Sequence, residues 1–69
     1  MKENELKELS LVFNDVFDSN GEVKKCGRAL CMKLIIMMKK YSSEDVGDER
    51  TGMMNVETMK SEYHRICGD

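Results

Sequence analysis

The chain has no proline and no tryptophan, and aromatic residues make up 6% of it. No proline-rich linker, internal repeat or low-complexity tract divides it, so its 69 residues read as a single domain, 1–69. A long apolar run is also missing. The longest, Ala29 to Met38, is interrupted by Lys33 and is about half the length a bilayer requires. No secretory signal opens the chain. Cysteine occurs three times, an odd count, with no CxxC pair and no ladder of spacings. That argues against a disulfide framework and predicts free thiols in a reducing, cytoplasmic setting. Nor is there a strong charge of one sign. The net charge is -2 with 35% charged residues, so the total demands neither nucleic acid nor an anionic membrane. A chain of this length has little material for a deep pocket, and the expectation is a protein without catalysis and without a cofactor.

The distribution of charge says more than its sum. Residues 1–22 carry two lysines against six acids, residues 23–41 carry six basic residues and no acid, and residues 42–69 carry three basic residues against seven acids. A basic middle segment between two acidic ones neutralises itself when the chain folds back antiparallel.

Three stretches repeat apolar residues at the helical period. Leu6, Leu9, Phe13 and Val16 form a stripe that Val12 and Phe17 widen, predicting a helix over 2–17. Asp18-Ser19-Asn20-Gly21 follows, four turn-forming residues that end it. Over 22–41, Val23, Cys26, Gly27, Leu30, Leu34, Met37, Met38 and Tyr41 fall within one arc at 100° per residue. Met32, Ile35 and Ile36 lie outside that arc, so this helix should be covered on more than one side. The third stripe, Val56, Met59, Tyr63 and Ile66, predicts a helix over 55–67 with Gly68 as its cap. Ser42-Ser43-Glu44-Asp45 reads as the start of a short fourth helix near 43–50. The fold class expected is all-α, a small antiparallel three- or four-helix bundle.

Several residues invite a chemical reading. Leu9 to Val23 resembles the entry into an EF-hand loop, with Asp18, Asn20 and Glu22 as alternating oxygen donors. In that register Val23 stands where the turn glycine belongs and Ala29 where the bidentate carboxylate belongs, so a solvated turn is the better reading. His64 and Cys67 share a helical face, and Cys26 or Cys31 would have to complete a zinc site. On one continuous helix, however, Cys26 and Cys31 point about 140° apart, so no metal site is expected. No motif surrounds any cysteine to suggest a nucleophile paired with His64. The seven methionines serve equally as core filler or as an adaptable binding surface.

Residues 43–66 carry a further pattern: Ser43-Glu44-Asp45-Val46-Gly47, Gly52-Met53, then Asn55-Val56-Glu57-Thr58-Met59-Lys60-Ser61. About a third of the chain thereby resembles the helix-turn-helix of sigma-factor and response-regulator DNA-binding domains. The resemblance implies that Val46 is core and that a helix beginning near Asn55 enters the major groove. It would offer Asn55, Glu57, Thr58, Lys60, Ser61 and Arg65 to the bases and phosphates.

Two functions follow as expectations. The first is a small non-enzymatic regulatory or inhibitor-type protein that binds another protein through its helical surface. It would also self-associate, most simply as a dimer, through Met32, Ile35 and Ile36. The alternative is a helix-turn-helix DNA-binding transcriptional regulator. The acidic balance of residues 42–69 ranks it second, because affinity for DNA comes largely from phosphate neutralisation.

Overall fold

The computed structural model describes residues 3–68; the expected helix start at Lys2 and the domain's end residues Met1 and Asp69 lie outside the described residues. The elements in order are α1 (Glu3–Val16), α2 (Arg28–Lys39), β1 (Gly47–Asp48), β2 (Met53–Met54) and α3 (Val56–Cys67). The molecule is thus mainly helical. Among the described residues no helix is long and apolar enough to cross a membrane.

α1 forms where its stripe places it. Leu9, Val12, Phe13 and Val16 are buried, Phe17 follows them into the core, and Leu6 is half-buried. α2 adds Leu34, Ile35 and Met38, α3 adds Met59 and Tyr63, and Val46 of the connecting segment fills the remaining space. Phe13 and Tyr63 stack with ring centroids 3.7 Å apart, and the Tyr63 hydroxyl shares a 2.8 Å hydrogen bond with Ser10 Oγ. One aromatic contact therefore joins the first helix to the last.

Two expectations are corrected. α2 begins at Arg28 rather than near residue 22, because the turn after α1 extends further than its four polar residues. Asp18 N–H donates to Glu22 O (2.9 Å) and Lys24 N–H donates to Val16 O (2.7 Å), while Phe17 and Val23 form an isolated bridge. The Lys24 bond satisfies the Val16 carbonyl left open at the end of α1, an outlet that helical geometry at 22–27 would remove. Val23, expected in the core arc, is 43% exposed as a result.

The second correction concerns residues 43–50 and the all-α class. In place of a fourth helix the chain forms an antiparallel hairpin, Gly47 opposite Met54 and Asp48 opposite Met53. Short acidic side chains capture the nearby backbone donors. Asp45 Oδ1 accepts Gly47 N–H (3.1 Å) and Asp48 Oδ1 accepts Arg50 N–H (2.9 Å), the local competition that draws Asp away from helix interiors. Gly52 closes the turn at φ +78°, and its N–H donates to Asp48 O (2.9 Å). The hairpin packs across α2, so the described residues form three helices and a two-strand sheet, a mainly helical fold that is not purely all-α. α3 behaves as expected: Asn55 stands at its N-cap and Gly68, at φ +74°, donates its N–H to His64 O (2.9 Å).

Candidate functional site

α1 and α2 are amphipathic, and their packed faces leave a groove of about 550 Å³ along one side of the pair. Its floor is Ala29, Met32, Ile36 and Met37 of α2. Glu5 and Glu8 of α1 form one rim, and Lys33 and Lys40 stand on the α2 side. The split follows from the charge pattern of the chain, since the acidic first segment and the basic middle segment meet here. Lys33 Nζ lies 3.9 Å from Glu8 Oε1, and both side chains are more than half exposed, so this pair adds little to stability. Tyr41 ends the groove by donating its hydroxyl to Glu5 Oε2 (2.8 Å). That hydrogen bond, and then burial, raises the phenol above its usual value, so Tyr41 remains a neutral donor at physiological pH.

The three residues expected to mediate self-association do not share one environment. Ile36 is 44% exposed and Met32 half-buried, both in the groove floor. Ile35 is fully buried and belongs to the core, which corrects its assignment to an interface. The hairpin supplies the second cover that the apolar middle of α2 calls for, and Ile35 faces it, its Cδ1 close to Gly47. The hydrophobic pattern showed that α2 needed more than one covering surface but not that residues 47–54 would supply it.

The residues offered to DNA by the helix-turn-helix resemblance are dispersed over α3 and its cap. Residues 47–54, between the two helices of that pattern, hold the hairpin, while Val46 is buried as the resemblance implies. Asn55 Nδ2 donates to Asp45 O (2.8 Å), closing the base of the hairpin. Lys60 Nζ donates to Gly21 O (3.2 Å) and pairs with Glu57 Oε2 at 3.1 Å, so it holds the turn after α1. Arg65 donates to both carboxylate oxygens of Glu62 (2.9 and 3.0 Å) and to Tyr41 O (3.1 Å). Ser61 is exposed and Thr58 half-buried.

The Glu62 and Arg65 pair was not singled out by sequence. Glu62 is buried on α3, where its Oε1 also accepts Ser43 N–H (3.1 Å) and anchors the segment leading into the hairpin. An acid and a base three residues apart on a helix were the available signal, but burial is what gives the pair weight. The Arg65 hydrogen bonds, aided by the Ser43 N–H and opposed by burial, hold the Glu62 carboxyl below the usual range. Asp48 is lowered as well, first by the Arg50 N–H. A lowered folded value means that the stabilisation is complete above the ordinary carboxylate value of about 4 and is lost as pH falls through the folded one. Acid titration followed by circular dichroism should therefore show native stability falling below about pH 4. Glu62→Gln should be less stable at neutral pH and less pH-dependent below it; parallel curves for the two proteins would contradict this assignment.

The calcium and zinc candidates also have definite places. Asp18 Oδ1 accepts the N–H groups of Asn20 (2.9 Å) and Glu22 (3.0 Å), so its carboxylate serves the turn. Among the described residues no three His, Cys, Asp or Glu side chains gather into a metal-binding group. His64 is exposed, edge-on to Tyr63 at 5.8 Å, and Cys67 is half-buried on the same helix. Cys26 and Cys31, expected on opposite sides of one helix, lie with their sulfurs 3.6 Å apart, because Cys26 precedes the N-cap Gly27.

No protein-family model matches this chain, and neither a characterised protein nor a solved structure matches it.

Proposed function

We propose that this chain is a small cytoplasmic, non-enzymatic protein of regulatory or inhibitor type, binding another protein through the groove between α1 and α2. The observation that supports this reading is an open trough with methionines in its apolar floor and opposite charges on its two sides. Methionine is unbranched and polarisable, so such a floor adapts to an inserted apolar ridge. The flanking charges steer the partner and fix its direction.

The same charge pattern fits a second copy. A two-fold axis lying in the interface and parallel to the groove places Glu5 and Glu8 of one protomer against Lys33 and Lys40 of its partner. An axis across the groove sets like against like. The first arrangement buries Ile36 and Met32 symmetrically and gives a homodimer when the chain is alone. A target protein with a similarly flanked apolar ridge competes for that surface.

Sedimentation equilibrium at micromolar concentration should return a dimer. Ile36→Glu should return a helical monomer, whereas Leu6→Glu should change assembly less. Lys33→Glu should weaken association at least tenfold, and Glu8→Lys in the same chain should recover part of that loss by exchanging the rims. A folded wild-type monomer at this concentration removes the dimer, and Ile36→Glu without effect on capture of a cellular protein removes the groove. Sequence-selective nanomolar binding to duplex DNA at physiological salt, lost in Lys60→Ala and Arg65→Ala, would place the function on α3 instead.

A further inference from the structure

Cys26 and Cys31 bring their sulfur atoms to 3.6 Å, and both residues are half-buried. Their elements explain the meeting. Cys26 follows the bend at Lys25, its N–H donating to Lys24 O (2.8 Å), and Gly27 caps α2 with extended backbone at φ -71° and ψ 157°. Cys31 then lies one turn into α2, where its N–H donates to Gly27 O (3.5 Å). The helix thus carries the second sulfur back over the first. Cys67 stands apart on α3, beside a hollow lined by Leu6, Ser10 and Tyr63.

A disulfide requires about 2.05 Å between the sulfurs, so the pair must close by roughly 1.5 Å. The surroundings allow that movement. Val23, Lys24 and Lys25 are exposed, and nothing stands within 4 Å of the position a Gly27 side chain would take. The approach can come from the loop while α2 keeps its packing.

We propose that Cys26 and Cys31 form a redox site that exchanges with a low-molecular-weight disulfide of the glutathione type, closing a reversible disulfide between the loop and the first turns of α2. The Cys26 thiolate attacks one sulfur of the small disulfide. A mixed disulfide forms, the old S–S bond breaks, and the departing small thiolate takes up a proton equivalent to the one Cys26 released. Cys31 then loses its proton and attacks Cys26 Sγ, expelling the second small thiol. Two protein thiols are oxidised and one small disulfide is reduced to two thiols. Burial, and then the hydrogen bond with Cys26, hold the Cys31 thiol above its usual value, consistent with its acting second. The crosslink spans the start of the segment that supplies Ala29, Met32 and Lys33 to the groove.

The full chain, equilibrated with mixtures of glutathione and glutathione disulfide and then alkylated with iodoacetamide, should carry a single label, on Cys67. Its mass before labelling should be lower by two hydrogens. Trypsin cuts after Lys25, Arg28 and Lys33, so peptides 26–28 and 29–33 should remain joined until dithiothreitol separates them. Cys67→Ser should keep this crosslink. Cys31→Ser, or Cys31→Ala if the serine variant loses its helical circular dichroism, should trap glutathione on Cys26. The proposal is overturned if all three cysteines label at every glutathione ratio or if Cys67 joins either member of the pair. A glutathione adduct that persists in the wild-type chain in place of the crosslink overturns it too.

Discussion

Ile35→Ala should lower the unfolding free energy by about 3–4 kcal/mol, the range expected for truncating a fully buried branched side chain without full collapse of the cavity. Ile35 is completely enclosed between the core and the hairpin, so the loss falls on the contact that holds residues 47–54 against α2. At about 0.05–0.15 kcal/mol per residue, a domain of this size has about 3–10 kcal/mol in total. The substitution therefore consumes a large share of it. Urea titration should show the midpoint falling with little change in slope. The neighbouring Ile36→Ala, at a site 44% exposed, should cost less than about 1 kcal/mol in the monomer while weakening self-association. Equal destabilisation by the two would mean that the hairpin does not cover α2.

Gly47→Ala should be comparably damaging for a different reason. Gly47 has φ +148°, a conformation that L side chains rarely adopt, and it sits in β1 against β2. An added Cβ would lie 2.5 Å from Met53 O, 3.0 Å from Met54 Cα and 3.1 Å from Ile35 Cδ1. Two of those neighbours are backbone of the paired strand, so relief requires the hairpin to open. Backbone strain and overlap together should cost about 3–5 kcal/mol. Amide hydrogen exchange should show the protection of the Asn55 N–H, which donates to Val46 O (3.0 Å) across the hairpin, lost before that of α1. Gly27→Ser is the contrast: its position is open, its backbone is ordinary for an N-cap, and α2 has no side-chain cap there. That variant should be neutral or stabilise by up to about 0.5 kcal/mol. If Gly47→Ala were equally harmless, the close approach of β1 to β2 and α2 would be wrong.

Ile35 shows where sequence reading stops. Its place outside the main arc of α2 was legible, and so was the conclusion that a second surface must cover it. Whether that surface was another copy or another part of the chain depended on residues 43–54. There Ser43, Glu44, Gly47 and Gly52 are compatible with a short helix or with a turn. Asp45 and Asp48 decided the matter by binding the N–H groups of Gly47 and Arg50, bonds that a short isolated helix could not outweigh. The cysteine pair was missed for a related reason. The 140° separation assumed a continuous helix from residue 22, whereas Lys24 N–H binds Val16 O and delays α2 to Arg28.

By itself, the sequence determined what depends on local period and local chemistry. The stripe Leu9, Phe13 and Val16 made α1, the stripe through Met59 and Tyr63 made α3, and Asn55 and Gly68 marked the ends of the latter. It also set the alternation of acidic and basic segments from which the two sides of the groove derive. Tertiary structure alone decided which polar groups had to find partners far along the chain. Glu62 meets Ser43, Lys60 meets Gly21 and Arg65 meets Tyr41, contacts that link residues 19 to 39 positions apart. It also decided that Ile35 is core while Ile36 remains in an open groove. The periods of helix and strand are properties of a short stretch of chain. Burial of a particular side chain depends on which distant segment arrives beside it, and that is settled only when every buried donor, acceptor and apolar surface is satisfied together.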